Sequence, residues 1–356
     1  MVESYDVGSL PFTGDFEKFI KGAKAYPSPR EESSYFEKKI VESFKDKLET
    51  GLSIPNYPQF RDMNDMFLEL ITGLGKVGNK YFFIEPVGVV RDGLIPEVDV
   101  LRRNSRILSE EYGKIRLKIC ITGPHTLSYF FGFRSCELFK VLARVLARIV
   151  AANTFREKNI EVVLVAVDEP LLGTIDDPLI EFGSEGRECL IKALSQIYHE
   201  AKARGARTVI HLHSTSNTLF WKVENLDVVE SHVGDLLYTS SKTRDLLEKY
   251  DKFLKISLCR TDFDKLVYDM VEAKFGKKFL SEKIAEVWKR IRAGEVNPSY
   301  YLESVETMEK RLRKALTVFG DRVLYAGPEC GLGGFPTYKC ALECLRRTAL
   351  VSSTIG

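Results

Sequence analysis

Short runs of β-branched and aliphatic residues alternate with amphipathic stretches along nearly the whole of this 356-residue chain, and that alternation restricts its fold most. The candidate strands are Glu3–Ser9, Arg116–Thr122, Val162–Asp168, Thr208–His213, Asp227–His232, Phe253–Leu258 and Arg322–Ala326, with a weaker one near Tyr81–Pro86 or Ser53–Gln59. Between them, Cys136–Lys158 and Glu185–Arg204 read as helices. In the first, Leu138, Val141, Leu142, Val145, Leu146, Ile149 and Val150 form an i, i+3, i+4, i+7 stripe. Strands that are apolar almost throughout are buried on both faces, as in a parallel sheet covered by helices.

Two architectures suit such a pattern, an open doubly wound sheet and a closed (β/α)8 TIM barrel. The unusual polar residues favour the barrel. Gly8-Ser9, Thr122-Gly123-Pro124, Asp168-Glu169-Pro170, His211 with His213, Glu230 with His232, and Cys330 all close strands. A barrel gathers those C-terminal strand ends on one rim, whereas an open sheet spreads them along an edge. Without a Pro/Gly/Ser linker or an internal repeat, residues 1–356 read as one domain. Residues 261–295, helical and charged, read as an insertion between the seventh and eighth strands, longer than a simple βα unit needs.

Composition then excludes several classes. With 52 Lys+Arg against 50 Asp+Glu the net charge is +2, which offers no broad electrostatic footprint for nucleic acid or an anionic membrane. No apolar run reaches the roughly 18 residues that a membrane span needs. The N-terminus, Met1-Val2-Glu3-Ser4-Tyr5-Asp6, lacks the pattern of a secretory signal. Seven cysteines, an odd and sparse number, predict reduced thiols in the cytoplasm.

Only five histidines are present, so His211-Leu212-His213 and Glu230-Ser231-His232 stand out. On a strand, residues i and i+2 share a face, and neighbouring strands lie about 4.8 Å apart, so these four polar groups can approach a common point. Cys330 after the last strand could complete the set. Two imidazoles, a carboxylate and a thiolate match the ligand chemistry of tetrahedral zinc. Hydrogen-bonded core histidines remain the competing reading. Cys120, Cys340 and Cys344 read as core, Arg102-Arg103 and Arg346-Arg347 as solvated helix faces, and Gly331-Leu332-Gly333-Gly334 as backbone shape around Cys330.

Five stretches carry a resemblance: Val7-Gly8-Ser9-Leu10-Pro11, Arg61-Asp62-Met63-Asn64-Asp65-Met66, Ile121-Thr122-Gly123-Pro124-His125-Thr126, Val167-Asp168-Glu169-Pro170 and Gly327-Pro328-Glu329-Cys330-Gly331-Leu332. In them the chain resembles the catalytic domain of cobalamin-independent methionine synthase in its short archaeal form, within the superfamily of uroporphyrinogen decarboxylase and thiol methyltransferases. The resemblance implies Zn2+ held by His211, His213, Glu230 and Cys330, with His213 where the family has a thiolate. It implies homocysteine as methyl acceptor, its ammonium on Asp168 and its carboxylate on Ser9 and the Gly8–Ser9 backbone. A helix N-cap ahead of Pro170 is the alternative role for Asp168.

Two departures bear on the reaction. Gln59 or Phe60 stands where the family has a substrate-binding Glu, and no His follows the seventh strand, where the chain reads Ile256-Ser257-Leu258-Cys259-Arg260. His232 is the substitute proton donor, or else an orienter of Glu230. Methyl transfer from methyltetrahydrofolate needs a proton for a poor amine leaving group, whereas a methyl-corrinoid, free or on a corrinoid protein, does not. The missing His therefore tilts the expected donor toward a corrinoid. A related thiol methyltransferase, a decarboxylase, or a barrel that binds metal without catalysis are the rival expectations.

Overall fold

The chain, described here over residues 2–355 in a computed structural model, contains nine strands: β1 (Glu3–Ser4), β2 (Ile71–Val77), β3 (Lys80–Val89), β4 (Ile115–Thr122), β5 (Ile160–Asp168), β6 (Arg207–His211), β7 (Val228–Glu230), β8 (Phe253–Cys259) and β9 (Val323–Pro328). Seven of them form one parallel sheet in the order β1-β9-β8-β7-β6-β5-β4. Helices alternate with these strands, so the α/β class expected from the apolar runs is the one observed.

Both edges of the sheet are bonded to the same segment. Ile54 N–H donates to the Ser4 carbonyl and Gln59 N–H to that of Gly8, while Tyr57 N–H donates to the carbonyl of Lys118 and Lys118 N–H to that of Pro55. Residues 54–59 thus run between β1 and β4, although only single bridges form. Pro55 and Pro58 lack the N–H groups that a continuous ladder requires, which explains why the segment reads weakly as a strand.

The alternative location for that strand, Tyr81–Pro86, lies in β3 and pairs antiparallel with β2, outside the seven-stranded sheet. The hairpin turns at Gly78-Asn79, between the partners Val77 and Lys80. Gly-Asn between strand-forming runs is a hairpin signal, but Gly73 and Gly75 interrupt the alternation that would have revealed β2. Gly73 has φ +74° at the register shift between Thr72 and Leu74, and a β-carbon there would collide with the carbonyl of Ile84.

The strands that carry the histidines are shorter than expected. β6 stops at His211 and β7 at Glu230, so His213 and His232 lie in the loops beyond them. The last ladder contacts are Glu169 N–H to the His211 carbonyl and Leu212 N–H to the Glu230 carbonyl. Residues 261–295 hold helices Phe263–Phe275 and Leu280–Arg292, which precede a third helix, Val305–Phe319, before β9. Trp288 packs edge-on against Phe263 at 5.7 Å. No described helix is long and apolar enough to cross a membrane.

Helix Cys136–Asn153 buries the expected stripe apart from the half-buried Val141, with Leu138, Leu142, Val145, Leu146, Ile149 and Val150 inside and Ser135 accepting from Leu138 N–H at its start. Its first residue corrects the expectation of reduced thiols throughout: Cys136 is disulfide-bonded to Cys189 of helix Glu185–Ala203, across 53 residues of sequence. Both cysteines sit near the N-terminal ends of helices that follow adjacent strands, a proximity that cysteine counting does not reveal. Closing a loop of that length removes denatured-state entropy equivalent to about 4 kcal/mol at most. A Cys136→Ser variant should therefore melt at the same temperature as reduced wild type, and both below oxidised wild type. A wild-type melting temperature indifferent to reductant would show that the bond does not form.

Candidate active site

The parallel register aligns the strand ends. Thr122 pairs with Asp168, Asp168 with His211 and His211 with Glu230 across β4 to β7. The loops beyond add His213 and His232, and Cys330 follows β9 two residues after Pro328. Ligand atoms of His211, His213, His232 and Cys330 lie within 4.8 Å of one another. Cys330 Sγ is 3.6 Å from His213 Nε2, and the His213 and His232 rings are 4.2 Å apart.

This donor set fits a dication. Zinc–ligand distances imply roughly 3.3–3.7 Å between the corners of a tetrahedron. Both ring nitrogens of His211 and Nε2 of His232 are buried without a hydrogen-bond partner, so the cluster holds donor atoms that the protein itself does not satisfy. Burial opposes ionisation of the Cys330 thiol, yet His211, His213 and His232 hold it well below its ordinary value. Burial would likewise lower His211, but Cys330 and Glu230 push its imidazole up to about 10. The thiol is thus poised as thiolate, the form that binds metal.

Glu230, expected among the ligands, stands outside the convergent group. Its Oε2 takes Lys255 Nζ at 2.8 Å and the Tyr5 hydroxyl at 3.1 Å, all three residues being fully buried. Its Oε1 has no hydrogen-bond partner and lies 3.4 Å from His211 Nδ1. Burial would raise this carboxyl, but Lys255 and then His211 hold it well below the usual carboxylate range. Lys255, on the next strand, takes one oxygen of Glu230, and the convergent group has His232 as its fourth member. His232, expected as proton donor, is accordingly among the candidate ligands.

A cavity of about 250 Å3 opens beside the cluster, lined by Ser9, Gln59, Arg61, Asp168, His211, His213 and Cys330 among others. Asp168 is only 4% exposed and its Oδ1 has no partner. Burial raises its pKa, against the pull of His211 and Lys118. No cap hydrogen bond from Asp168 forms. Gly8 has φ +143°, and a β-carbon there would collide with Asn56, so glycine is required beside Ser9. The Gly331–Gly334 loop folds onto Ser9: Leu332 N–H donates to its carbonyl at 3.0 Å and Gly333 N–H to its hydroxyl at 3.2 Å. Gln59 Nε2 is spent on Met66 Sδ at 3.3 Å.

Neighbouring carboxylates hold the rim. Glu169 accepts from His125 N–H, Thr126 N–H and the Thr126 hydroxyl at 2.7–2.8 Å, which ties the Thr122-Gly123-Pro124 turn to β5. Glu329 accepts from Val233 N–H at 2.8 Å and Thr261 N–H at 2.9 Å, bracing the loop of His232 against the end of β8. Two charge-assisted bonds of this kind contribute about 3 kcal/mol together. Glu329→Ala should therefore lower the melting temperature and abolish amide-exchange protection at Val233 and Thr261 first. Unchanged protection at both amides would remove Glu329 from this role. Lys255, Tyr5 and Arg61, which pairs with Glu97 through Nε at 2.7 Å and Nη2 at 2.9 Å, were not legible as site residues. Only their positions in motifs or apolar strands would have pointed to them.

Parallel strands that present imidazoles and a thiol at one rim define an α/β protein with a candidate metal centre. No family model matches the sequence. A methionine synthase of Sulfolobus acidocaldarius is 23% identical over 321 residues, spanning 86% of this chain and 78% of its own. In fold, the chain is similar to a B12-independent methionine synthase from Shewanella sp. W3-18-1, solved with selenomethionine, at TM-score 0.60 and 16% identity over 99% of this chain and 98% of that one. A Listeria monocytogenes protein provisionally assigned as a vitamin-B12 independent methionine synthase gives TM-score 0.62 at 16% identity over 100% and 99%. The chain is thus similar to a methionine synthase in sequence and to B12-independent methionine synthases in fold.

Proposed function

We propose that this chain is a zinc-dependent methyltransferase that moves a methyl group onto the thiol of homocysteine, forming methionine. The observation that carries the reading is the convergence of His211, His213, His232 and Cys330 beside a cavity into which the unpartnered carboxylate of Asp168 faces. Those four residues would hold Zn2+, His232 taking the corner that the resemblance assigns to Glu230. When bound, the metal supplies a Lewis acid that keeps the substrate sulfur as thiolate. Asp168 pairs with the substrate ammonium, and Ser9 with the Gly8 backbone receives its carboxylate. The reading includes closure of the sheet into a (β/α)8 barrel through residues 54–59, with 261–295 as an insertion, and a cytoplasmic setting.

One thiolate and three neutral imidazoles leave a zinc centre at +1, which holds a substrate thiolate tightly and blunts it as a nucleophile. His125 is committed to Asp177 at 2.9 Å, and His199 lies on the exposed face of helix Glu185–Ala203. With His232 in the cluster, no described imidazole remains at the rim to protonate an amine leaving group. Both points favour an activated donor such as a methyl-corrinoid over methyltetrahydrofolate. From the former, the sulfur–carbon bond forms as the cobalt–carbon bond breaks and its electron pair stays on cobalt. The test is metal analysis of protein purified without added zinc, followed by single-turnover transfer from methylcobalamin to homocysteine. Stoichiometric zinc with methionine formed supports the reading. Zinc without methionine from either donor, or no metal at all, overturns it.

A further inference from the structure

The bonded pair Cys136 and Cys189 has a third donor beside it. Glu185 and Cys189 stand one turn apart on helix Glu185–Ala203, at i and i+4, so their side chains share a face. Cys136 is the first residue of helix Cys136–Asn153. A carboxylate oxygen of Glu185 and the two sulfur atoms lie within 4.8 Å of one another. None of the three residues belongs to the rim cluster or lines its cavity. Cys189 is buried, Cys136 half-buried and Glu185 exposed, so the group opens to solvent on one side. All three sit toward helix N-terminal ends, where the macrodipole favours anions. Thiolate and carboxylate are the forms that bind metal.

We propose that Cys136, Cys189 and Glu185 form a second metal site, separate from the rim, that takes a thiophilic dication such as Zn2+ when the disulfide is reduced. In the oxidised chain the two sulfurs are bonded to each other and offer no thiolate. A dithiol reductant opens that bond: two electrons and two protons pass to the protein's sulfurs, and the reductant becomes a disulfide. The dication then binds as the two thiols release their protons. Two thiolates on one zinc stand roughly 3.7 Å apart. The Cα atoms of Cys136 and Cys189 are 5.5 Å apart, and rotation about the Cα–Cβ bonds supplies that sulfur separation with both helices in place. Two sulfurs and one oxygen suit zinc over magnesium or calcium, which take oxygen ligands. A water completes the tetrahedron. With one ligand exposed and one position left to water, the ion exchanges readily and a chelator removes it. Metal and disulfide exclude each other, so zinc draws the pair toward its reduced state.

Equilibrium dialysis of the intact chain against Zn2+ should find one more zinc per chain after reduction by a phosphine than before it. Zn2+ should also slow alkylation of Cys136 in the reduced wild type, a measurement that needs no variant. Reduced Cys136→Ser should bind no more zinc than oxidised wild type. Glu185→Gln should keep the extra zinc with an affinity lower by at least about 10-fold, and Cys330→Ser should retain the redox-dependent zinc. Equal counts in the two redox states, or extra zinc that persists in Cys136→Ser, would overturn the site. Unchanged affinity in Glu185→Gln, or alkylation of Cys136 at the same rate with and without Zn2+, would overturn it equally. Loss of the redox-dependent zinc in Cys330→Ser would place that ion at the rim and end the proposal.

Discussion

Replacing Cys330 by serine should empty the metal centre while leaving the fold intact. The thiol is the one anionic member of the convergent group and the one that its three imidazole neighbours hold ionised. A serine hydroxyl stays protonated at neutral pH and is a poor zinc ligand. Since changes to residues that merely support a ligand already cost about 10–100-fold in affinity, loss of this ligand should cost at least about 100-fold. Cys330 lies beyond the last ladder contact of β9 and is partly exposed, so no core contact is lost with it. The measurement is zinc per chain after dialysis against a chelator, alongside the melting temperature. Wild type should retain one zinc and the variant almost none. Equal retention would remove Cys330 from the site and the zinc reading with it.

An Asp168→Asn variant should keep its zinc and lose its substrate. The Asp168 carboxylate is buried with an unpartnered oxygen, an arrangement that costs stability unless a cation arrives. Removing one partner of such a buried pair costs about 2–5 kcal/mol, or roughly 30- to several-thousand-fold in kcat/KM for homocysteine, carried by KM. The same residue should show the opposite sign in stability. Burial raises the carboxyl's pKa in the folded protein, so the folded state retains a proton that the unfolded chain has released. Stability is thus lost as pH rises from the unfolded value toward the raised one. Asp168→Asn should melt above wild type at pH 8 and lose that advantage at low pH. A variant with unchanged KM, or one less stable than wild type at pH 8, would contradict the assignment.

The legible parts of the molecule are those governed by local periodicity. The stripe from Leu138 to Val150 and the apolar runs of β4, β5 and β8 state their burial residue by residue. Less legible were elements whose geometry depends on partners. β2 was missed because Gly73 and Gly75 break the alternation that marks a strand, and β3 was expected only as a weak strand, without its hairpin partner. Residues 54–59 read weakly because two prolines remove donors from a segment that nevertheless touches both sheet edges. The Cys136–Cys189 bond joins residues that no count of cysteines could pair.

The candidate site divides along the same line. His211, His213, Asp168 and Cys330 were legible as candidates because chemically distinctive side chains follow apolar runs, and the structure brings them together beside one cavity. That much the sequence by itself determined: the α/β class of fold and the strand ends at which the candidate residues gather. The tertiary structure placed His232, and not Glu230, in the convergent group. Glu230 ends a short strand and His232 lies in the loop just beyond it, and spacing alone treats them alike. One oxygen of Glu230 is paired with Lys255, 25 residues away in sequence and one strand away in space. A buried ammonium requires a buried anion, and that electrostatic requirement acts across the interior rather than along the chain.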